Sequence, residues 1–166
     1  RQIADILARE LPEVLVSLSG EVSPEMREYE RWSTTAANAY VQPLMSRYLG
    51  RLSDELGGMG FACPLYLMTS GGGLAALETA RRFPIRLVES GPAGGAILAA
   101  RLARECGLDR VLSFDMGGTT AKICLIDDGE PQHSRSFEVA RQYRFLKGSG
   151  LPLRIPVIEM VEIGAG

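Results

Sequence analysis

"VLSFDMGGTTAKICLID", residues 111–127, sets two apolar runs around a turn that carries Asp115, Gly117, Gly118, Thr119, Thr120 and Lys122. The runs at 111–115 and 121–126 are short, apolar and bounded by turn residues, which predicts a pair of strands. An ordinary hairpin needs one or two special residues at its tip, so the surplus requires a second reason. A phosphate-binding turn supplies one: successive backbone N–H groups converge on an anion, and glycine permits the dihedrals and the close approach. In that reading Asp115 holds Mg2+ directly or through water, and the Thr119 and Thr120 hydroxyls donate hydrogen bonds. It is not a Walker loop, since G-x-x-x-x-G-K-[ST] occurs nowhere in the chain.

Two further glycine clusters lie upstream. "ESGPAGGA", residues 89–96, opens a helix predicted to run to about residue 106, so its first turn is almost free of side chains at Gly91, Ala93, Gly94 and Gly95. Each glycine costs a helix about 1 kcal/mol relative to alanine. Close packing of another backbone or approach of a ligand to the helix N-terminus would offset that cost. "SGGGLAA", residues 70–76, follows a predicted strand at 64–70 and matches G-x-G-x-x-A through Gly71, Gly73 and Ala76. That is the form of a dinucleotide fingerprint. The match is short, however, and its would-be ribose partner, Glu89, abuts the next glycine cluster, so a tight loop between strand and helix with functional contacts to another ligand is the better reading.

Elsewhere the patterns alternate. A helix is predicted over 2–10 with Ile3, Ile6 and Leu7 on one face, then a strand over 13–19, then a short helix from Ser23–Pro24 to about Tyr29. A long helix follows, capped by Thr34 or Thr35, with apolar positions at Ala37, Tyr40, Val41, Leu44, Tyr48, Leu52 and Leu56, and stopped at Gly57–Gly58. Pro43 is expected to kink it or split its first turn. Residues 84–90 read as another strand, "DDGE" at 127–130 as a second turn, and 137–142 as a third strand of the meander. A Gly/Pro loop then leads to a strand near 157–163. Helices and strands alternating to about residue 109, then a run of strands, indicate an α/β architecture with a change of motif near 110.

Bulk properties exclude several classes. With 18 basic and 20 acidic residues the net charge is -2, which gives no whole-chain attraction to nucleic acid or anionic membrane. No apolar run reaches the roughly 18 to 20 residues that span a bilayer, and the polar start is not a signal peptide, so a cytoplasmic location is expected. Cys63, Cys106 and Cys124 are far apart, with His133 the sole histidine, so no zinc spacing or disulfide framework arises. The thiols are expected to be buried or half-buried, and His133 to be a solvated loop or strand residue. The start at Arg1 and the stop within "EIGAG" suggest a piece of a longer protein.

Taken in order, these motifs resemble a known family. "VESGPAGGAILAARLA" followed by "FDMGGTTAK" resembles the hinge helix and second phosphate motif of the actin, sugar-kinase and Hsp70 ATPase superfamily. More closely, "SPEMREYERWSTTAANAYVQPL", "SGGG", "ESGPAGGA", "DMGGTTAK" and "PVIEMVEIGAG" together resemble the hydantoinase/5-oxoprolinase family, in the central region of its hydantoin-utilisation A-type members. The resemblance runs from about residue 20 to 166.

The resemblance implies an α/β fold of partial ribonuclease H-like (actin-like ATPase) lobes, a mixed sheet with flanking helices. Residues 1–109 would end the first lobe, including a hinge helix at 91–106, and 110–166 would start the second with its phosphate-binding hairpin. It implies ATP and Mg2+ as cofactors, and activation of a cyclic amide carbonyl by phosphorylation for hydrolytic ring opening. Related branches are ATP-using subunits of acetone- and acetophenone-type carboxylases, and the superfamily also holds non-enzymatic nucleotide switches. Carried onto this chain, Asp115 would coordinate Mg2+ or orient water, and Gly117, Gly118 and Thr119 would hold ATP phosphates, with Thr120 in support. Lys122 would neutralise phosphate charge or point into solvent. Gly91, Ala93 and Gly94 would form the hinge helix, with Gly71, Gly72, Gly73 and Glu89 facing the cleft. The expected partners are a small cyclic amide and a B-type subunit. The first phosphate motif and the adenosine-binding segment are expected outside this stretch, which alone would be inactive and prone to self-association.

Overall fold

A computed structural model of the chain describes residues 2–143, 146 and 148–164. They form two compact units. In chain order the elements are α1 (Gln2–Glu10), α2 (Ser19–Val22), α3 (Glu28–Gly58), β1 (Tyr66–Met68), β2 (Leu74–Ala76) and α4 (Leu77–Arg82). A 3-10 turn (Pro84–Leu87) follows, then α5 (Ser90–Glu105), β3 (Arg110–Met116), β4 (Thr120–Asp127), β5 (Glu130–Pro131) and β6 (His133–Ser134). The last strands are β7 (Phe137–Val139), β8 (Leu151–Leu153), β9 (Val157–Ile158) and β10 (Val161–Gly164). Parts of the predicted 144–150 loop and of the "EIGAG" run lie outside the described residues.

The first unit gathers α1 to α4 with β7 and β8. Helix α1 forms where its periodicity predicts it, yet it contributes no buried residue, and Ile3 and Ile6 are exposed. The strand predicted at 13–19 does not form. Its backbone passes over α3 as irregular chain, where the Ser17 hydroxyl donates to Gln42 Oε1 at 2.9 Å and accepts from Asn38 Nδ2 at 3.0 Å. Nor does Ser23–Pro24 open a helix; the long helix begins at Glu28 instead. The threonines read as its caps lie inside it. Their hydroxyls bond back to the carbonyls four residues earlier, Thr34 to Glu30 at 2.6 Å and Thr35 to Arg31 at 2.7 Å, a use of threonine that mimics a cap in sequence but not in place. Pro43 sits within α3 without ending it or splitting its first turn.

The buried face of α3 is polar, with Thr34, Asn38 and Gln42 beside Leu49. This corrects the apolar reading at Tyr40, Leu44 and Tyr48, which are exposed, while Ala37, Val41, Leu52 and Leu56 are half-buried. Asn38 uses its whole amide: Nδ2 donates to Ser17 Oγ and to the Arg82 carbonyl at 3.1 Å, and Oδ1 accepts from the Ile85 N–H at 3.3 Å. The Thr34 hydroxyl also accepts from the Arg154 N–H at 2.7 Å, and the Ser33 hydroxyl donates to the Pro152 carbonyl at 2.6 Å, which seats β8 on α3. Strand β7 forms as predicted but pairs with β8 instead of extending the meander. After the Asp128–Gly129 turn Glu130 and Pro131 pair with β4, and beyond Pro131, which has no N–H to donate, the Gln132 N–H donates to the Leu125 carbonyl at 3.3 Å.

The second unit is a sheet in the order β10-β4-β3, antiparallel throughout, with β5 also on β4 and with α5 against one face. Ala93, Ala96 and Ala100 pack on Cys124, Ile126 and Ile158. The alanine spacing of three and four keeps one stripe of α5 free of bulk, so the helix lies close to the strands. The opposite face, with Leu112, Phe114, Met116, Leu125, Val161 and Ile163, is exposed. The strand predicted at 84–90 is a 3-10 turn; the Arg86 carbonyl there accepts from the Ser70 N–H at 2.8 Å. Of the three thiols only Cys124 is buried, and burial pushes its pKa above the ordinary value. The expectation that all three thiols are buried or half-buried is thus corrected at Cys63 and Cys106, which are exposed.

Two outcomes test this account. Asn38→Ala removes three hydrogen bonds from a buried face and should lower stability by about 2 kcal/mol, read from urea denaturation; a loss below about 0.5 kcal/mol would contradict the assigned network. A maleimide at neutral pH should modify Cys63 and Cys106 rapidly and Cys124 only after denaturation. Equal rates at all three would contradict the packing of α5 on β4.

Candidate functional site

The turn between β3 and β4 forms as its sequence predicts, and its details sharpen the reason for its glycines. Gly117 donates its N–H to the Thr120 carbonyl at 2.9 Å, closing the turn. Neither Gly117 nor Gly118 has a positive φ, so unusual dihedrals are not what selects glycine here. A Cβ on Gly118 would meet nothing within 4 Å, and one on Gly117 only the Thr120 carbonyl at 3.8 Å. Glycine therefore leaves the turn bare for something outside it. The Gly118 and Thr119 N–H groups donate to no backbone carbonyl among the described residues, so two donors stay available at the tip, beside the Thr119 and Thr120 hydroxyls.

Asp115, near the end of β3, lies directly opposite Lys122 on β4. Glu162 on β10 lies opposite Lys122 from the other side. Cross-strand partners share a face, so Asp115, Lys122 and Glu162 form one row across the sheet. Lys122 is two residues from Cys124 along β4 and hence on the face that α5 covers. The Lys122 ammonium is ion-paired with Glu89, and both side chains are largely shielded, at 16% and 29% exposure. Of the two readings open for Lys122, pointing into solvent is thereby excluded. No ion pair among the described residues engages Asp115 or Glu162. The cluster thus holds three carboxylates against one ammonium.

Glu89 is the N-cap residue of α5 and adopts the left-handed conformation, φ 61° and ψ 17°. A glutamate is rarely found there. Its side chain makes no capping bond to the helix and is directed to Lys122 instead. Along the first turns of α5, Cβ atoms on Gly91 and Gly95 would meet nothing within 4 Å, whereas one on Gly94 would touch Met68 at 3.7 Å. A Cβ at Gly94 would thus make only an ordinary contact, so packing demands glycine at none of these three positions.

The "SGGG" cluster takes a different form from the one expected. It is the tip of a hairpin between β1 and β2, with the Thr69 N–H on the Gly73 carbonyl at 2.8 Å, and a strand rather than a helix follows it. That removes the structural setting of a dinucleotide fingerprint. Gly72 has φ +80°, and a Cβ there would lie 2.8 Å from Ile97 Cδ1; it is a packing glycine beneath α5. Gly73 closes the hairpin. His133 is exposed on β6 opposite Ile158. No group of three His, Cys, Asp or Glu among the described residues is arranged to hold a metal by itself.

Glu162 was not singled out by the sequence reading. The predicted strand at 157–163 contained it, but only pairing with β4 places it beside Lys122.

Comparison with known proteins agrees with this architecture. The family model described as hydantoinase/oxoprolinase matches residues 31–166. An uncharacterised protein of Methanocaldococcus jannaschii is 40% identical, covering 100% of this chain and 25% of its own length. The caprolactamase subunit alpha of Pseudomonas jessenii is 35% identical over 94% of this chain and 21% of its own. The nucleotide-free structure of an acetone carboxylase, from work on ATP-dependent acetone carboxylation, superposes with a TM-score of 0.78 at 25% identity, covering 100% of this chain and 22% of that one. The chain thus spans about a quarter of the length of the curated relatives it matches, or less. The mixed α/β fold expected from the motifs is the fold observed. With a family match that takes in most of α3 and all of α5, the β3–β4 turn and β10, the chain belongs to the hydantoinase/oxoprolinase family.

Proposed function

We propose that this chain is the central segment of an ATP-dependent cyclic amide hydrolase of hydantoinase/5-oxoprolinase type. The observation that carries the reading is the β3–β4 turn, whose bare glycines and Gly118 and Thr119 amides stand next to the Asp115 carboxylate, none of these amides or the carboxylate being engaged among the described residues. Such a donor set fits a magnesium-bound phosphate chain: N–H groups and hydroxyls for anionic oxygens, and a carboxylate for a hard cation or its hydration shell. When bound, MgATP supplies the phosphoryl group that turns an amide oxygen, a poor leaving group, into a good one. The chain's own part is positional. Gly118 and Thr119 orient phosphate oxygens through their amides, Gly117 closes the turn that holds them, Thr119 and Thr120 add hydroxyl donors, and Asp115 fixes the cation.

Residues 1–109 then form the end of one ATPase lobe and 110–166 the start of the next, with α5 as the hinge helix and Gly91 and Gly94 on its first turns. Gly72 and Gly73 support this arrangement through packing and the hairpin tip rather than by ligand contact. The whole protein works in the cytoplasm with a B-type partner subunit, and the segment alone is inactive. No described helix is long and apolar enough to cross a membrane. A carboxylase-type reading is favoured by one observation, the likeness to the acetone carboxylase structure.

ATP hydrolysis by the full-length protein with its partner subunit, followed over a panel of 5-oxoproline, hydantoins, lactams and ketones with bicarbonate, separates the two. Stimulation by a cyclic amide is expected; stimulation by a ketone alone would favour carboxylation. Asp115→Ala should lower the stimulated rate at least about a hundredfold, and an undiminished rate would remove Asp115 from the site.

A further inference from the structure

The cation of the proposed site is already engaged. Lys122 is the basic residue of the Asp115–Lys122–Glu162 row, and its ammonium is paired with Glu89 in a largely shielded position. Among the described residues, the ion-pair partner Glu89 and the two cross-strand neighbours Asp115 and Glu162 are three carboxylates to the one ammonium of Lys122. A phosphate chain that arrived without a metal ion would meet carboxylates and a lysine whose charge is already neutralised. One that arrived with a divalent cation would bring the charge that Asp115 and Glu162 lack.

We propose that Glu89 is a positioning residue that sequesters Lys122, and that this pairing makes the site select the metal complex of a nucleotide over the free nucleotide. The inference rests on the reading of the β3–β4 turn as an ATP site. Its independent support is the conformation of Glu89. A glutamate in the left-handed region is uncommon, and the ion pair to Lys122 is the contact its side chain makes. Glu162 belongs to the same device as the carboxylate flanking Lys122 on β10. It keeps that flank of the lysine negative, so that charge balance on both sides of Lys122 falls to the incoming metal ion.

The test measures ATP binding to the full-length protein by calorimetry, with excess Mg2+ and with EDTA. The unsubstituted protein should bind MgATP and bind ATP in EDTA far more weakly. Glu89→Gln keeps the shape and removes the charge, so Lys122 becomes available to phosphate. Affinity for ATP in EDTA should rise about tenfold, the scale of one charge-assisted hydrogen bond gained, and by more than affinity for MgATP, so the preference for the metal complex narrows. The double variant Glu89→Gln with Lys122→Met should lose that gain, which ties it to the lysine. Glu89→Asn, which suits the left-handed conformation, should behave as the glutamine variant does. If MgATP binding is retained and neither variant gains affinity in EDTA, the inference is overturned and the ATP site stands. If both variants lose both forms of ATP, Glu89 is merely structural and the inference is again overturned. If the unsubstituted protein does not bind MgATP, the ATP reading fails and takes this inference with it.

Discussion

The close approach of α5 to β4 is the constraint on which the site depends. Ala93, Ala96 and Ala100 present no bulk toward Cys124 and Ile126, so the helix axis lies near the strands and its N-terminal turn comes down beside Lys122. A larger side chain anywhere in that stripe would lift the helix, since a packed interior accommodates added methylenes only by strain. Gly72, tucked against Ile97 and Ile158, answers the same requirement on the neighbouring hairpin. Small residues here are a means of placing charge: they bring the Glu89 carboxylate within reach of the lysine two positions from Cys124.

From that placement follows the character of the turn. A phosphate-type loop with an unopposed lysine would attract any polyanion. With Lys122 paired and Asp115 and Glu162 beside it, the row is acidic, and the anion-directed groups are confined to backbone amides and hydroxyls at the tip. The division is spatial, with donors at residues 118–120 and carboxylates one row below. On the proposed reading it suits a ligand that carries its own cation, as phosphoryl transfer from a metal-bound nucleotide requires.

Much of this was legible in the sequence because it was local. The β3–β4 hairpin, the helix at 90–105 and the excess of special residues between Asp115 and Lys122 follow from short-range pattern and turn chemistry. What could not be read was pairing. Residues 13–19 and 84–90 have strand-like composition, but neither pairs with a strand among the described residues; one is held by side-chain bonds from α3 and the other coils into a 3-10 turn. Thr34 and Thr35 looked like caps because a hydroxyl that bonds back within a helix and one that caps it have the same spelling. The buried amide of Asn38 on α3 had no sequence signal, as its partners come from residues 17, 82 and 85. Glu162 and the Glu89–Lys122 contact were hidden for the same reason: each is defined by strand register or by tertiary packing rather than by neighbours in the chain.

The central claim is that the Asp115–Thr120 turn receives phosphate. A crystal structure of the full-length protein with a non-hydrolysable MgATP analogue tests it most directly. The account predicts phosphate oxygens about 3 Å from the Gly118 and Thr119 nitrogens, with the metal ion or one of its waters on Asp115. A nucleotide bound with its phosphates away from this turn, and Asp115 facing solvent, would contradict it.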